Sequence, residues 1–220
     1  MAGSEYPKIE TLFNRGEDHK VTAGYRMPEF GLVSKWLVTE KIDGTNVRVF
    51  VDTRGIESIP VTGFRGRTDA AQMPPFLADE LRRLFPDDRV GAAFDEGTQA
   101  VLFGEGYGAR IQKGGGNYRD GISFRLFDVA VTGTDGFIWW LNWSDVEDVA
   151  RKLGIKTVPS FSVTQLEHIV KLVKNGLDSA VAYAERGHVT PAEGVVCRTE
   201  PLLFTRRGHR LTWKLKTKDF

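Results

Sequence analysis

The chain has 220 residues, 41% apolar and 27% charged, a globular composition that excludes wholesale disorder. Its formal net charge is +1, so bulk charge names no partner. One cysteine, Cys197, excludes an internal disulfide and a cysteine-built zinc site. No apolar run reaches the ~18 residues of a membrane span. The first five residues also lack the basic-then-apolar layout of a secretory signal. A soluble, cytoplasmic protein with no membrane partner is the expectation. Charge placement says more. Residues 205–220 hold Arg206, Arg207, Arg210, Lys214, Lys216 and Lys218 against Asp219 alone, a basic strip suited to a polyanion.

In chain order, residues 1–35 are polar and weakly patterned and read as a loop-rich lead-in. Residues 36–41 and 46–51 alternate as strands around the turn dipeptide Asp43-Gly44, which predicts a hairpin-like pair. Further strands are expected over 58–64, 99–105, 122–131, 136–141, 193–199 and 210–216. A helix over 75–85 places Leu77, Leu81, Leu84 and Phe85 on one face and stops at Pro86. Ser144 to Glu147 has a capping-box pattern that would open a second helix, closed by Gly154. Thr164 to Glu167 repeats that pattern before a helix ending at Gly176, and a shorter helix is expected over 178–185. Strands and helices do not alternate regularly, so the fold class is α+β with a largely antiparallel sheet. Trp139, Trp140, Trp143 and Phe137 are expected in the core, as is Cys197.

Several chemistries fail on spacing. Gly104, Gly106 and Gly108 are not followed by a helical pattern, as a dinucleotide fold requires, and no phosphate loop with a Gly-Lys-Ser/Thr ending exists. The four histidines show no metal-ligand spacing. Lys41-Ile42-Asp43-Gly44-Thr45-Asn46 is the positive signal. Alone it reads equally well as a turn with a solvated lysine. Phe103-Gly104-Glu105-Gly106, Glu193-Gly194-Val195-Val196 and Trp213-Lys214-Leu215-Lys216 follow it in order, each in or beside a predicted strand.

Together these four motifs resemble the covalent nucleotidyltransferases, the superfamily of polynucleotide ligases and capping enzymes. The match is nearest to ATP-dependent RNA ligases of the nick-sealing type 2 branch, including phage-encoded members. Thr45-Asn46, Gly66-Arg67-Thr68, Ile111-Gln112-Lys113, Phe127-Asp128-Val129 and Lys218-Asp219-Phe220 also look like that branch. The resemblance covers residues 36–220, a nucleotidyltransferase domain, and leaves 1–35 without a role. It implies two antiparallel sheets flanking an ATP cleft, with ATP and Mg²⁺ or Mn²⁺ as cofactors. The implied reaction passes AMP from ATP to a lysine, then to a 5′-phosphate, which a 3′-hydroxyl finally attacks.

The resemblance also implies residue roles. Lys41 would be the nucleophile. A free lysine, with a pKa near ~10.4, is protonated at pH 7, and neighbouring cations disfavour that charge. Lys214 and Lys216, two apart on a strand, share one face and would supply those cations together with a metal. Glu193 would organise the metal, Glu105 the ribose hydroxyls and Phe127 the adenine face. Arg67 would grip phosphate, Glu40 would contact the adenine side, and Asn46 the reacting strand end. The expected partner is RNA, as nicked duplex or broken ends. Asp43 stands where several type 2 enzymes carry histidine, so DNA and a DNA ligase core remain open. A non-ligating nucleic-acid-binding module of the same fold is the rival of another class. Relatives usually continue into a C-terminal domain after the lysine pair, and a protein partner in its place is expected for this lobe.

Overall fold

The computed structural model describes residues 5–54, 61–133, 136–161 and 164–220. The chain divides into two compact units, one of residues 1–6 and 44–157, the other of 7–43 and 158–220.

The second unit is built on a four-stranded sheet ordered β1-β12-β11-β4, comprising Glu10–Thr11 (β1), Thr212–Lys216 (β12), Gly194–Arg198 (β11) and Leu37–Lys41 (β4). β11 lies antiparallel between β12 and β4, and β1 adds to the outer edge of β12 in parallel. The other edge of β4 is met by residues 159–161: Glu40 N donates to the Pro159 carbonyl and Phe161 N to the Val38 carbonyl. Alternation sets the two faces of this sheet. On β12, Trp213 and Leu215 are fully buried while Lys214 and Lys216 stand on the opposite face. The buried face joins Leu12, Phe30, Trp36, Val38, Val195 and Cys197 with Leu166, Ile169 and Val173 of a helix, Leu166–Asn175 (α4). Trp36 and Trp213 meet edge to face at 5.4 Å. A second helix of this unit, Ala180–Arg186 (α5), starts after Ser179, whose hydroxyl accepts from Ala182 N.

The first unit carries a six-stranded sheet. Its strands are Lys156–Thr157 (β10), Ile122–Thr132 (β8), Gln99–Gly108 (β7), Thr45–Asp52 (β5) and Val61–Gly66 (β6), in that order, with Ile138–Trp140 (β9) pairing with β8. All pairs are antiparallel except β10 with β8. Helices Pro75–Leu84 (α1) and Trp143–Leu153 (α3) pack on β8, and Asp87–Ala93 (α2) packs on α3.

The α+β class stands, and the local expectations fare unevenly. β4 and β5 do not form a hairpin; they belong to different sheets. Gly44 explains the misreading. It passes so close to Gly106 that a Cβ would lie 2.3 Å from the Gly106 carbonyl oxygen, so its glycine serves a close approach and not a two-residue turn. The strand expected over 58–64 is β6, with 58–60 outside the described residues. α3 is preceded by Asn142 and α4 by Gln165, neither with a side-chain cap bond, so both capping-box readings are displaced. Thr164 is instead bridged to Trp36. The stops at Gly154 and Gly176 hold. The lead-in is not loop-rich, because β1 and a two-stranded sheet, Phe13–Arg15 (β2) with Val21–Tyr25 (β3), occupy it. Trp143 is core, but Phe137 and Trp139 are 69% and 59% exposed, since β9 is a short strand at a sheet edge.

Candidate functional site

The strand ends of the four-stranded sheet gather the residues with the most chemistry. Lys41 ends β4, Glu193 immediately precedes β11, and Lys216 ends β12. The register places Gly194 opposite both Lys41 and Lys216. Glu193 therefore stands between two lysines supplied by the strands on either side. Lys41 Nζ donates to Glu193 Oε2 and Lys216 Nζ to Glu193 Oε1, both at 2.5 Å. All three side chains are mostly shielded from solvent. Burial alone would push the Glu193 carboxyl up, but the Lys41 charge and the hydrogen bonds from Lys216 and Lys41 outweigh it. The net displacement is below the ordinary carboxylate value.

Gly194 lets this happen. Its φ of +153° and a virtual Cβ 2.1 Å from the Leu215 carbonyl oxygen leave no room for a side chain next to Glu193. Lys214 lies on the same face of β12 as Lys216, two residues away. Among the described residues no group of three or more His, Cys, Asp or Glu could hold a metal. The Glu193 carboxylate could serve an ion that keeps most of its waters.

Glu40 sits one residue before the nucleophile candidate, and its side chain has a different task. It is 2% exposed and receives Ser179 Oγ and Val181 N, which ties β4 to the start of α5. Its carboxylate is committed inside the unit, so any nucleotide contact from this position would come from its backbone.

The remaining predicted residues belong to the other unit. Glu105 is half-buried on β7, opposite Asn46 of β5, in a strand otherwise buried from Ala100 to Gly108. The Asn46 Oδ1 atom is buried without a hydrogen-bond partner among the described residues. Phe127 is half-buried on β8 and meets Tyr6 edge-on at 5.1 Å. Tyr6 in turn donates to Asp128 Oδ2 at 2.9 Å. Arg67 is exposed just after β6. Gln112 Nε2 donates to the Gly44 carbonyl at 3.1 Å and steadies the chain within the Lys41–Asn46 motif. Sequence reasoning gave no role to Gln112, Ser179 or Tyr6. Only Gln112 lay in a motif that had been singled out.

The basic strip divides in two. Arg206 and Arg207 are exposed on a turn closed by Thr205 N to the His209 carbonyl, whereas Lys214 and Lys216 join the sheet. Asp219 is buried against Arg15 at 2.7 Å. Cys197 is fully buried, which pushes its thiol well up and away from reactivity. No helix among the described residues is long and apolar enough to cross a membrane.

Residues 34–216 match the family model described as RNA ligase. No curated protein matches the chain. Among solved structures it is similar to a mutant Naegleria gruberi RNA ligase with ATP and Mn, at 19% identity and a TM-score of 0.62, covering 96% of this chain and 55% of that one. The same organism's RNA ligase with PPi gives 18% identity and a TM-score of 0.59, over 97% of this chain and 62% of that one. A further mutant of it, with AMP and Mn, gives 18% and 0.58, over 96% and 62%. The chain thus spans less than two thirds of the length of these structures, and the likeness is one of fold.

Proposed function

This chain belongs to the RNA ligase family, and we propose that it is an ATP-dependent RNA ligase of the nick-sealing kind. In this reading it joins 3′-hydroxyl to 5′-phosphate ends through a lysyl-AMP on Lys41. The observation that carries the reading is the pair of 2.5 Å contacts by which Lys41 and Lys216 share the Glu193 carboxylate.

Attack on phosphorus needs the neutral amine, so the Lys41–Glu193 ion pair is a resting arrangement that must open before reaction. Lys216, and Lys214 on the same face, remain to balance phosphate charge as Lys41 Nζ bonds to the α-phosphorus and pyrophosphate departs. A divalent ion held through Glu193 and its own waters would supply further charge neutralisation at the phosphates. We assign the ribose hydroxyls to Glu105, the adenine face to Phe127, an adenine-side backbone contact to Glu40, a phosphate to Arg67 and the strand end to Asn46. The buried, unpartnered Asn46 Oδ1 supports a polar ligand at that position.

The test is transfer of label from α-phosphate-labelled ATP to the chain with Mg²⁺ or Mn²⁺, then a chase onto nicked RNA and nicked DNA duplexes. Label that moves onto RNA and seals it supports the reading. Sealing of DNA in preference to RNA would make the chain a DNA ligase core. No label from ATP on a folded, AMP-free chain would end the reading.

A further inference from the structure

Half of the basic strip takes no part in the lysine–carboxylate cluster. Residues 201–211, between β11 and β12, hold Arg206, Arg207, His209 and Arg210 and no acid. They close into a hairpin. Leu211 N donates to the Leu203 carbonyl at 2.8 Å, and Phe204 is bridged to Arg210. Nearer the tip, Thr205 N donates to the His209 carbonyl at 2.7 Å and Gly208 N to the Thr205 carbonyl at 2.9 Å. The Thr205 hydroxyl accepts from His209 N at 3.2 Å, and Leu203 N donates to Thr199 Oγ1 at 2.7 Å at the base. Backbone bonds therefore fix the tip before any ligand arrives.

Arg206, Arg207 and His209 are exposed, and neither arginine is ion-paired among the described residues. Leu203 and Phe204, on the arm beside them, are about half exposed as well. Two guanidinium groups thus stand next to each other on a rigid turn, with an open aromatic ring alongside. The register shows where this turn lies. Gly194 pairs with Lys216 at the end of the strands that holds Glu193, and Arg198 pairs with Thr212 at the opposite end. The hairpin continues from that opposite end. The chain from Lys216 back to Arg207 reaches at most about 30 Å, on the order of one turn of a nucleic-acid duplex.

We infer that this hairpin grips the phosphate backbone of the RNA duplex beside the break, away from the reacting ends. Charge complementarity selects the occupant. The planar fork of arginine meets phosphate oxygens in pairs, and two adjacent forks suit a ligand whose charges repeat along its length. Duplex RNA presents such a backbone beside a wide, shallow groove that a turn can approach without reading any base. Contact of this kind carries no sequence information and holds the duplex in register. The inference rests on the RNA ligase reading for the identity of the polyanion. To that reading it adds a place where the duplex is held, on a segment with no share in the nucleotide chemistry.

The experiment compares the full chain with Arg206→Ala/Arg207→Ala and Arg206→Lys/Arg207→Lys variants. Both positions are exposed, so the fold is expected to survive, and a circular dichroism melt verifies it. The probe is a fluorescently labelled nicked RNA duplex with long arms, followed by anisotropy over a range of salt. The alanine variant should bind about tenfold more weakly at low salt, and its slope of log affinity against log salt should flatten by about 1–2. The lysine variant should keep the slope. Label transfer from ATP should stay within about twofold in both. Trimming the duplex arms to a few base pairs should bring the natural chain down to the alanine variant and leave that variant unchanged. Unchanged affinity and slope in the alanine variant would overturn the inference and leave the hairpin to an acidic protein partner. A fall in label transfer equal to the fall in RNA binding would also overturn it. A chain that binds RNA through the hairpin but never acquires label would keep the grip and sink the ligase reading instead.

Discussion

The two sheets use the same strand geometry for different ends. In the four-stranded sheet, β12 alternates strictly, with Trp213 and Leu215 buried in one face and Lys214 and Lys216 on the other. In the six-stranded sheet, β7 is buried at almost every position, and Glu105 is its half-buried charged residue. The β12 strand thus presents two cations on one face, backed by tryptophan and leucine on the other. In the other sheet, charged groups are set singly among apolar neighbours, with Arg48, Arg125 and Asp128 buried and Glu105 half-buried. Chemistry that moves phosphate charge needs several ions close together, and an alternating strand delivers them at i and i+2 without disturbing the core. Recognition of a neutral group needs one well-placed acceptor, which a buried strand can carry at little cost.

The comparison breaks most completely at Lys41. Lys41→Ala should abolish label transfer from ATP while leaving a cooperatively folding chain with a modestly lowered melt, because Glu193 keeps Lys216 but loses its other cation. If the four-stranded sheet depends on its apolar face for stability, Trp213→Ala should cost about 3–5 kcal/mol in urea unfolding. It should do so through loss of packing against Trp36.

Glu193→Gln should lower label transfer by about a hundredfold, since the shared acceptor between Lys41 and Lys216 loses its charge. The same variant has a pH signature. The Glu193 carboxyl is held below its ordinary value, so its contribution to stability is full above the ordinary carboxylate range. That contribution is lost as pH falls through the lowered value. Urea midpoints of the natural chain and Glu193→Gln should therefore differ at neutral pH and converge in acid. Divergence in acid would contradict the ion-pair account.

Smaller effects sharpen the contrast. Gly44→Ala should cost about 1–3 kcal/mol, because the new methyl would meet the Gly106 carbonyl. Trp139→Ser, at an exposed edge of the six-stranded sheet, should stay within about 0.5 kcal/mol by the same unfolding assay.

Legibility followed the length and regularity of each pattern. β12 announced itself through period 2 and the helices α1 and α4 through period 3.6, while β7, β8 and β11 showed as apolar runs rich in valine and phenylalanine. β1 and β2 are two and three residues long, too short to show any period, and they exist because the longer strands β12 and β3 satisfy their backbones. α2 has Pro86 before it and Gly91 within it, and only its packing on α3 compensates. Asp43-Gly44 misled because a tight turn and a close backbone approach both ask for glycine. The cluster of Lys41, Glu193 and Lys216 joins residues up to 175 positions apart in the chain. Composition and spacing could not have joined these residues; the motif resemblance proposed them and the register of β4, β11 and β12 brings them together. The task of Glu40 at α5 was invisible, because Ser179 lies far along the chain and outside every motif.

The most direct test of the central claim is where AMP sits after the chain meets ATP and a divalent ion. Intact-mass measurement followed by peptide mapping should find one AMP per chain, on the peptide containing Lys41, and none after Lys41→Ala. An adduct on the Lys214–Lys216 peptide, or none on a folded and AMP-free chain, would contradict the account.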